Sequence, residues 1–186
     1  MRSGIIISCA LCFAVVIALL PGMVNGRFFH IPRPGAKTYS HGFAVDTAPF
    51  AARVVKIHDG DTISIANGNR LIRIRFYGVD SPEYDQPFGT VSARNLGKAI
   101  KGRTLRFEPK YRDKYNRIVA VPYFADGTCL LDMIIENGDA WVFDDFCDDG
   151  ALCKRLREAQ HRARISQRGL WSDRGAVPPS VWRSLH

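Results

Sequence analysis

Two stretches of the sequence place carboxylates and arginines close enough together to do chemistry. The first is a turn that contains Asp59 and Asp61, and the second is RIRFYGVDSPE, which contains Arg75, Asp80 and Glu83. Neighbouring carboxylates raise one another's pKa unless a cation joins them, and their hard oxygen atoms prefer Ca²⁺ or Mg²⁺ to zinc. We therefore consider a cation site in which Asp61 and Asp80 supply two oxygens and a backbone carbonyl supplies a third.

The same residues also have a simpler interpretation. Acids in turns are most often solvated turn formers, and Arg75, which lies between Ile74 and Phe76, can simply face solvent. An arginine aimed at a metal site has a specific use, because it binds phosphate oxygens bidentately and stabilises charge that develops on them during phosphoryl transfer. Residue types and spacing alone leave both interpretations open.

The elements that position these residues are predicted to be short strands. ARVVKIHDGDTISI reads as two strands around the Asp59–Gly60 turn, and NGNR supplies an Asn-Gly hairpin turn before a third strand, Leu71 to Val79. TLRFEP and RIVAVPYF are two further strands, joined by KYRDKYN. The first three strands are expected to form an antiparallel meander.

Three helices are predicted around these strands. FGTVSARNLGKAI has apolar residues at helical spacing, at Val91, Leu96 and Ile100, and LLDMIIENG stops at an Asn-Gly cap. Asp148 or Asp149 can cap a last helix, which Gly169 ends. Five strands and three helices predict an α+β, mainly β fold: a five-stranded OB-fold barrel with three helices.

The chain ends differ from this domain. Residues 1–26 combine Arg2, a charge-free run of 17 residues from Gly4 to Leu20 and a plausible cleavage site near Gly26. This pattern is typical of a secretory signal peptide, and an uncleaved membrane anchor is the alternative. Residues 27–50 read as a flexible N-terminal arm, 51–173 as the domain, and 174–186 as a basic tail that contains Pro and Trp. A secreted or periplasmic protein is expected.

Composition favours a folded protein with a polyanionic partner. Apolar residues make up 46% of the 186 residues, which argues against wholesale disorder, and the formal net charge is +8. That charge favours nucleic acid or an anionic membrane surface. From residue 154 to the end there are eight Lys or Arg and two acids. This stretch reads either as an electrostatic track for a polyanion or as a solvated helix face.

Cysteine usage follows from the predicted export. An oxidising compartment permits disulfides, and the six-residue spacing favours a bridge between Cys147 and Cys153. Cys129 lies in an apolar run and is expected to be a buried small hydrophobe. No zinc-binding spacing is found in the sequence.

Four motifs in order carry a resemblance to a known family. DGDT (Asp59 to Thr62), RIRFYGVDSPE, DKYNR (Asp113 to Arg117) and GLW (Gly169 to Trp171) closely resemble the staphylococcal nuclease (thermonuclease) family, over about Ala51 to Trp171. The tail motif PPSVWR also resembles the end of secreted bacterial members. The resemblance implies an OB-fold barrel and calcium-dependent hydrolysis of phosphodiester bonds in DNA or RNA, with Mg²⁺ the less favoured cation.

The resemblance also implies a role for each matching residue. Asp61, Asp80 and the backbone carbonyl of Ser81 would bind calcium, with Asp59 at the periphery of the metal site. Glu83 would orient or deprotonate the attacking water. The remaining residues would contact the substrate. Arg75 and Arg117 would bind the phosphate that reacts. Lys114 and Tyr115 would bind the terminal phosphate of a nucleotide.

One substrate contact of the family has no direct match. The family's prototype has a nucleotide-packing tyrosine where this chain has WVFDDF, with Asp144 near that position. Base stacking could come from Trp141, Phe143 or Phe146, or be absent.

Two alternatives to an exported nuclease follow. One is a catalytically silent OB-fold module that binds single strands. The other is a nuclease domain held at a membrane by an uncleaved N-terminus. No protein partner is implied, and a monomer is expected.

Overall fold

Five strands of the chain close into a barrel in a computed structural model, which describes residues 48–186. The predicted signal peptide and residues 27–47 of the predicted arm lie outside the described residues. The elements, in chain order, are β1 Phe50–Ile57, β2 Thr62–Asn67, β3 Arg70–Phe76, β4 Val79–Asp80, α1 Gly89–Ile100, β5 Thr104–Arg112, β6 Ile118–Tyr123, α2 Leu130–Glu136, β7 Trp141–Val142, α3 Gly150–Ile165 and α4 Pro179–Leu185. None of the helices within 48–186 is both long and apolar enough to cross a membrane.

The barrel has the strand order β1-β2-β3-β6-β5, and β5 pairs back onto β1. The predicted antiparallel meander of β1, β2 and β3 is confirmed. β3 pairs with β6 in parallel, with Ile74 opposite Ile118 and Arg75 opposite Val119. The predicted OB-type barrel in an α+β fold is thereby confirmed, with two short strands and a fourth α-helix beyond the predicted count.

The barrel interior and its helical cover form one apolar core. Fully buried side chains come from the strands, from α1 and from α2 with α3, among them Ile63, Ile74, Phe76, Phe107, Leu96, Ile100, Leu131, Ile134 and Leu156. α1 buries the predicted positions Leu96 and Ile100, while Val91 is only half-buried. Burial of these faces removes apolar surface from water, and this supplies the main driving force for the fold.

The predicted strand from Leu71 to Val79 is interrupted in the structure. β3 ends at Phe76, Gly78 has a φ of +67°, and β4 then pairs with β7 in a separate two-stranded sheet. The Tyr77 hydroxyl donates to the Asp148 carboxylate and accepts from the backbone N–H groups of Asp148 and Asp149. The chain therefore turns at Tyr77 and Gly78, where a segment that begins 71 residues later holds the Tyr77 hydroxyl.

The disulfide lies directly behind this turn. The predicted Cys147–Cys153 bridge is confirmed, and Cys129 is a buried free cysteine as expected. A Cβ added at Gly78 would lie 2.6 Å from Cys147 Sγ, so only glycine fits there. The bridge thus packs against the backbone that leads into β4.

α3 is capped as predicted but ends earlier. The Asp149 carboxylate accepts from the Leu152 N–H, which identifies Asp149 rather than Asp148 as the N-cap. The helix ends at Ile165, and Gln167 has a φ of +50°. Gly169 instead begins a short 3₁₀ segment, Gly169–Ser172, whose backbone contacts Gly138.

Candidate active site

Arg75 joins the two carboxylates that were predicted to bind a cation. Its guanidinium forms an ion pair with Asp61, and its Nη2 donates to Asp80 Oδ1 at 2.8 Å. Asp61 and Asp80 are each only 4% exposed. The structure therefore brings all three residues into one buried cluster at the end of β3.

Backbone groups fix the Asp61 carboxylate in place. The Ser81 N–H donates to Asp61 Oδ2 at 2.6 Å, and the Asp61 N–H donates to Asp59 Oδ1 at 2.9 Å. Asp59 therefore shapes the turn before β2. The strands deliver these groups because the β1–β2 turn and the end of β4 lie side by side.

The charges of the cluster depend on one another. Burial raises the pKa of Asp59 to about 7, with the Asp61 charge adding to the effect. Burial would also raise the pKa of Asp61, but the Arg75 guanidinium and hydrogen bonds outweigh it and lower that pKa. Burial raises the pKa of Asp80 despite its arginine partners. Two adjacent buried acids therefore depend on cations for their ionised state.

Glu83 lies on the loop between β4 and α1. Its backbone N–H donates to Gln86 Oε1 at 3.1 Å, and a Cβ added at Gly89 would lie 1.8 Å from the Glu83 carbonyl oxygen. The first residue of α1 thus packs tightly against the backbone that carries Glu83. The Glu83 carboxylate accepts from Arg183 of the C-terminal tail, a residue to which no sequence motif assigns a role.

Arg117 lies just before the neighbouring strand, and its ion pair is with Asp113 rather than with Asp61 or Asp80. Asp113 accepts from Arg117 Nε at 2.7 Å and from the Arg117 and Tyr115 N–H groups. Arg117 precedes β6, and Val119 of that strand is opposite Arg75. The Lys114 ammonium and the Arg117 guanidinium lie over the exposed Tyr115 ring at 5.1 and 5.3 Å from its centroid. The structure thus groups Arg117, Lys114 and Tyr115 with one another rather than with Asp61 and Asp80.

The candidate base-stacking residues separate into two groups. Trp141 is buried and packs edge-on against Trp171, so it is not available to a nucleotide in this conformation. Phe143 and Phe146 contact each other, with ring centroids 4.6 Å apart, near the surface. Tyr84, which lies outside the motifs described above, follows Glu83 and is 77% exposed.

The donor set of the cluster fits a hard cation. No group of three His, Cys, Asp or Glu side chains within residues 48–186 is arranged to hold a metal by itself. Asp61 and Asp80 converge on one guanidinium and offer carboxylate oxygens, the ligands that Ca²⁺ and Mg²⁺ prefer. Such a cation would therefore be held by the carboxylates of Asp61 and Asp80 together with backbone oxygens.

Much of the C-terminal basic charge is locally paired. On α3 and just beyond it, four arginines form ion pairs with acids of α2 and of the short 3₁₀ segment Asp144–Phe146: Arg155 with Asp132, Arg157 with Asp144, and Arg162 and Arg168 with Glu136. Arg164 lies over the Trp171 ring. This arrangement favours the interpretation of a solvated helix face for most of the stretch.

The chain is similar in sequence to one family model and to several known proteins. A family model described as "Staphylococcal nuclease homologue" matches residues 73–173. The chain belongs to the staphylococcal nuclease family. An uncharacterized endonuclease of Escherichia coli is 35% identical to it over 136 residues, which are 73% of this chain and 86% of that protein. Micrococcal nuclease of Shigella flexneri is 31% identical over 144 residues, covering 73% of this chain and 82% of that protein.

Membership of the staphylococcal nuclease family confirms two predictions. The fold class agrees with the barrel described above, and the chain is a phosphodiester hydrolase. The matched stretch contains Arg75, Asp80, Glu83 and Arg117, whereas Asp61 lies before it. The individual roles of these residues stay predictions.

Proposed function

We propose that this protein is an exported, calcium-dependent nuclease that hydrolyses phosphodiester bonds of DNA and RNA. The observation that carries the proposal is Arg75, which binds Asp61 and Asp80 at once while Glu83 lies on the adjoining loop. A guanidinium that can bind phosphate and a pair of carboxylates that can bind a metal ion share one site. Phosphoryl transfer requires both.

Each side chain of the site would have a distinct task. Asp61 and Asp80 would hold the calcium ion, which supplies charge neutralisation and polarises a phosphate oxygen when bound. Arg75 would bind the phosphate bidentately, and Arg117 would offset the negative charge that grows on it. Glu83 would accept a proton from the attacking water.

The disulfide supports the exported part of the proposal. Cys147 and Cys153 are bonded in the structure, and such bonds persist in oxidising compartments rather than in a reducing cytosol. We expect mass spectrometry of the protein from its native host to find an N-terminus near Arg27. An intact Met1 in the membrane fraction would instead indicate an anchored protein.

The catalytic part is tested by one assay series. The purified protein is incubated with single-stranded DNA, duplex DNA or RNA in the presence of Ca²⁺, Mg²⁺ or EDTA. We expect cleavage with Ca²⁺, loss of cleavage with EDTA, and recovery when Ca²⁺ is added back. Cleavage that survives EDTA would contradict the metal requirement, and cleavage supported better by Mg²⁺ would contradict the choice of calcium.

The same assay with Asp61→Ala tests the assigned ligand. Removing one carboxylate ligand weakens cation binding, so this variant should need more Ca²⁺ and be partly rescued by excess. Asp126→Ala is the matched control, because Asp126 is an exposed aspartate in the turn after β6. Its Ca²⁺ requirement should equal that of the wild type.

A further inference from the structure

The C-terminal helix α4 places a second guanidinium on the site. Arg183 Nη1 donates to Glu83 Oε1 at 2.6 Å, and its Nη2 donates to Asp80 Oδ2 at 2.9 Å. Nη1 also lies 3.3 Å from Asp80 Oδ1. Charge-assisted bonds of this kind are roughly twice as strong as neutral ones. A residue of the tail thus contacts both a predicted cation ligand and the predicted water-activating carboxylate.

A second contact docks the tail beside the same loop. The Gln86 side chain, almost fully buried, donates from Nε2 to the Val177 carbonyl at 2.6 Å and accepts from the Glu83 N–H. Pro179, the first residue of α4, is also buried. The position of Arg183 therefore follows from the docking of the whole tail and not from its flexible side chain alone.

Arg183 occupies oxygens that a cation would need. Asp80 Oδ1 accepts from Arg75, and Asp80 Oδ2 accepts from Arg183. Ionised Asp61, Asp80 and Glu83 carry three negative charges, and Arg75 offsets one of them. The two negative charges that remain match one divalent cation. A cation bound at Asp80 would therefore compete with Arg183 for the same negative charge.

Three features of α4 limit the stability of its docking. The helix has seven residues, too few to be stable in isolation. Trp182 Nε1 is buried without a hydrogen-bond partner among residues 48–186, which costs free energy in the docked state. The Arg183 side chain is 42% exposed, so water can replace its contacts.

We propose that Arg183 is a further residue of the active site: it holds Asp80 and Glu83 while α4 is docked, and it leaves them when a divalent cation binds. α4 is then a cover that cation binding releases, and Arg183 raises the cation concentration that the enzyme needs. This inference rests on the proposed function, because it requires a cation at Asp61 and Asp80. Residues 174–186 lie outside the stretch that the family model matches.

Calcium binding to the purified protein tests the competition without an activity assay. In calorimetric titrations we expect Arg183→Gln to bind Ca²⁺ roughly tenfold more tightly than the wild type, because a competing charged contact is removed. Arg183→Lys should lie between the two, since it keeps the charge but not the planar fork. Arg174→Gln removes the same charge from an exposed position of the same tail and should leave the affinity unchanged.

Hydrogen exchange tests the movement of the tail. We expect Ca²⁺ to accelerate exchange of the α4 amides in the wild type, and Arg183→Gln to accelerate it without Ca²⁺. Wild-type Ca²⁺ affinity in Arg183→Gln, with α4 exchange indifferent to Ca²⁺, would overturn the proposal. Wild-type Ca²⁺ affinity in Arg183→Gln, combined with weaker binding of a DNA oligonucleotide, would also overturn the proposal. That result would make Arg183 a phosphate ligand.

Failure of the proposed function gives a different result. If the wild type and Asp61→Ala bind Ca²⁺ equally or not at all, the cation site itself is wrong. If the wild type binds Ca²⁺ through Asp61 and α4 exchange does not change, only the release of α4 is wrong.

Discussion

At the scale of single residues, Arg75 has a structural task as well as a chemical one. It neutralises two carboxylates that are almost completely buried, and removing one partner of a buried ion pair leaves an uncompensated charge. The residue is therefore expected to support the fold before any substrate arrives.

We expect Arg75→Ala to lower the free energy of unfolding by about 3–5 kcal/mol in the absence of added cation. Urea denaturation measures this change. Arg73→Ala is the matched control, because Arg73 is an exposed arginine on the same strand, and its effect should stay within about 0.5 kcal/mol. Ca²⁺ should recover part of the loss, since a ligand of the folded state stabilises it. Equal effects of the two substitutions would refute a structural role for Arg75.

Glu83 has a narrower task, which should fall on the chemical step. Glu83→Gln keeps the shape of the side chain and removes the base, so we expect kcat to fall by roughly 10²–10⁴ with little change in substrate binding. Steady-state kinetics on DNA with saturating Ca²⁺ measure kcat and KM separately. Tyr84→Phe, next in the sequence, keeps the exposed ring and should keep kcat. Cleavage by Glu83→Gln at the wild-type rate would mean that another group activates the water.

At the scale of elements, the two-stranded sheet of β4 and β7 carries Asp80, and the disulfide packs against the turn before it. Cys147 contacts Gly78, and the Cys147–Cys153 bridge closes the segment that binds the Tyr77 hydroxyl. The bridge therefore supports the element that delivers a predicted cation ligand.

We expect the double substitution Cys147→Ser and Cys153→Ser to lower the free energy of unfolding by about 2–3 kcal/mol, the value for a short closed loop. Urea denaturation with and without reductant measures it. Reductant should bring the wild type to the level of the double variant and leave the double variant unchanged. A wild type that is equally stable with and without reductant would contradict the prediction.

The connection between α2 and the segment after α3 depends on two glycines in contact. A Cβ at Gly138, whose φ is +71°, would lie 2.2 Å from the Arg168 carbonyl oxygen, and one at Gly169 would lie 2.3 Å from that of Gly138. The Leu170 N–H donates to the Gly138 carbonyl at 2.9 Å. This close approach of two backbones ties the end of α2 to the chain that follows α3.

We expect Gly138→Ala to destabilise the protein by more than about 3 kcal/mol, because backbone strain and steric overlap add. Gly127→Ala is the matched control: its φ is +85°, but a Cβ there has no neighbour within 4 Å among residues 48–186. It should cost only the strain, about 1–2 kcal/mol. Thermal or urea unfolding of both variants gives the difference, and similar losses would mean that the contact between the two glycines is unimportant.

At the scale of the whole molecule, the formal net charge overstates the positive charge that is available to a polyanion. The formal charge is +8, yet Arg155, Arg157, Arg162 and Arg168 are paired with acids of this chain. A polyanion gains most from cations that are not already neutralised, so the loop that carries Lys114 should contribute more to substrate binding than α3 does.

Salt dependence separates these two surfaces. In the Glu83→Gln background, the affinity for duplex DNA should fall with NaCl concentration, and Lys114→Gln should reduce the slope by about 0.9, the value for one phosphate contact. Arg162→Gln should leave the slope unchanged because Arg162 is paired with Glu136. A larger loss of slope from Arg162→Gln than from Lys114→Gln would locate the polyanion track on α3.

The sequence predicted the local features and missed those that depend on distant contacts. The Asn-Gly turn, the meander and the face of α1 follow from propensity and period, which act over a few residues. The break at Tyr77 depends on Asp148, and the contact of Arg183 with Asp80 joins residues that are 103 positions apart. The carboxylates were found because they lie close in sequence to Arg75, whereas nothing near Arg183 in the sequence indicates its partners.

The order of strands in the barrel has a consequence for how the chain folds. β1, β2 and β3 are contiguous, as are β5 and β6, but the pairings that join these two pieces bring Phe50 to Phe107 and Ile74 to Ile118. Loop-closure entropy opposes such distant pairings, so the two seams should form last and limit the folding rate. Until β5 and β6 have been synthesised, the first piece presents two unpaired strand edges to other chains, and this is the stage at which aggregation is most probable.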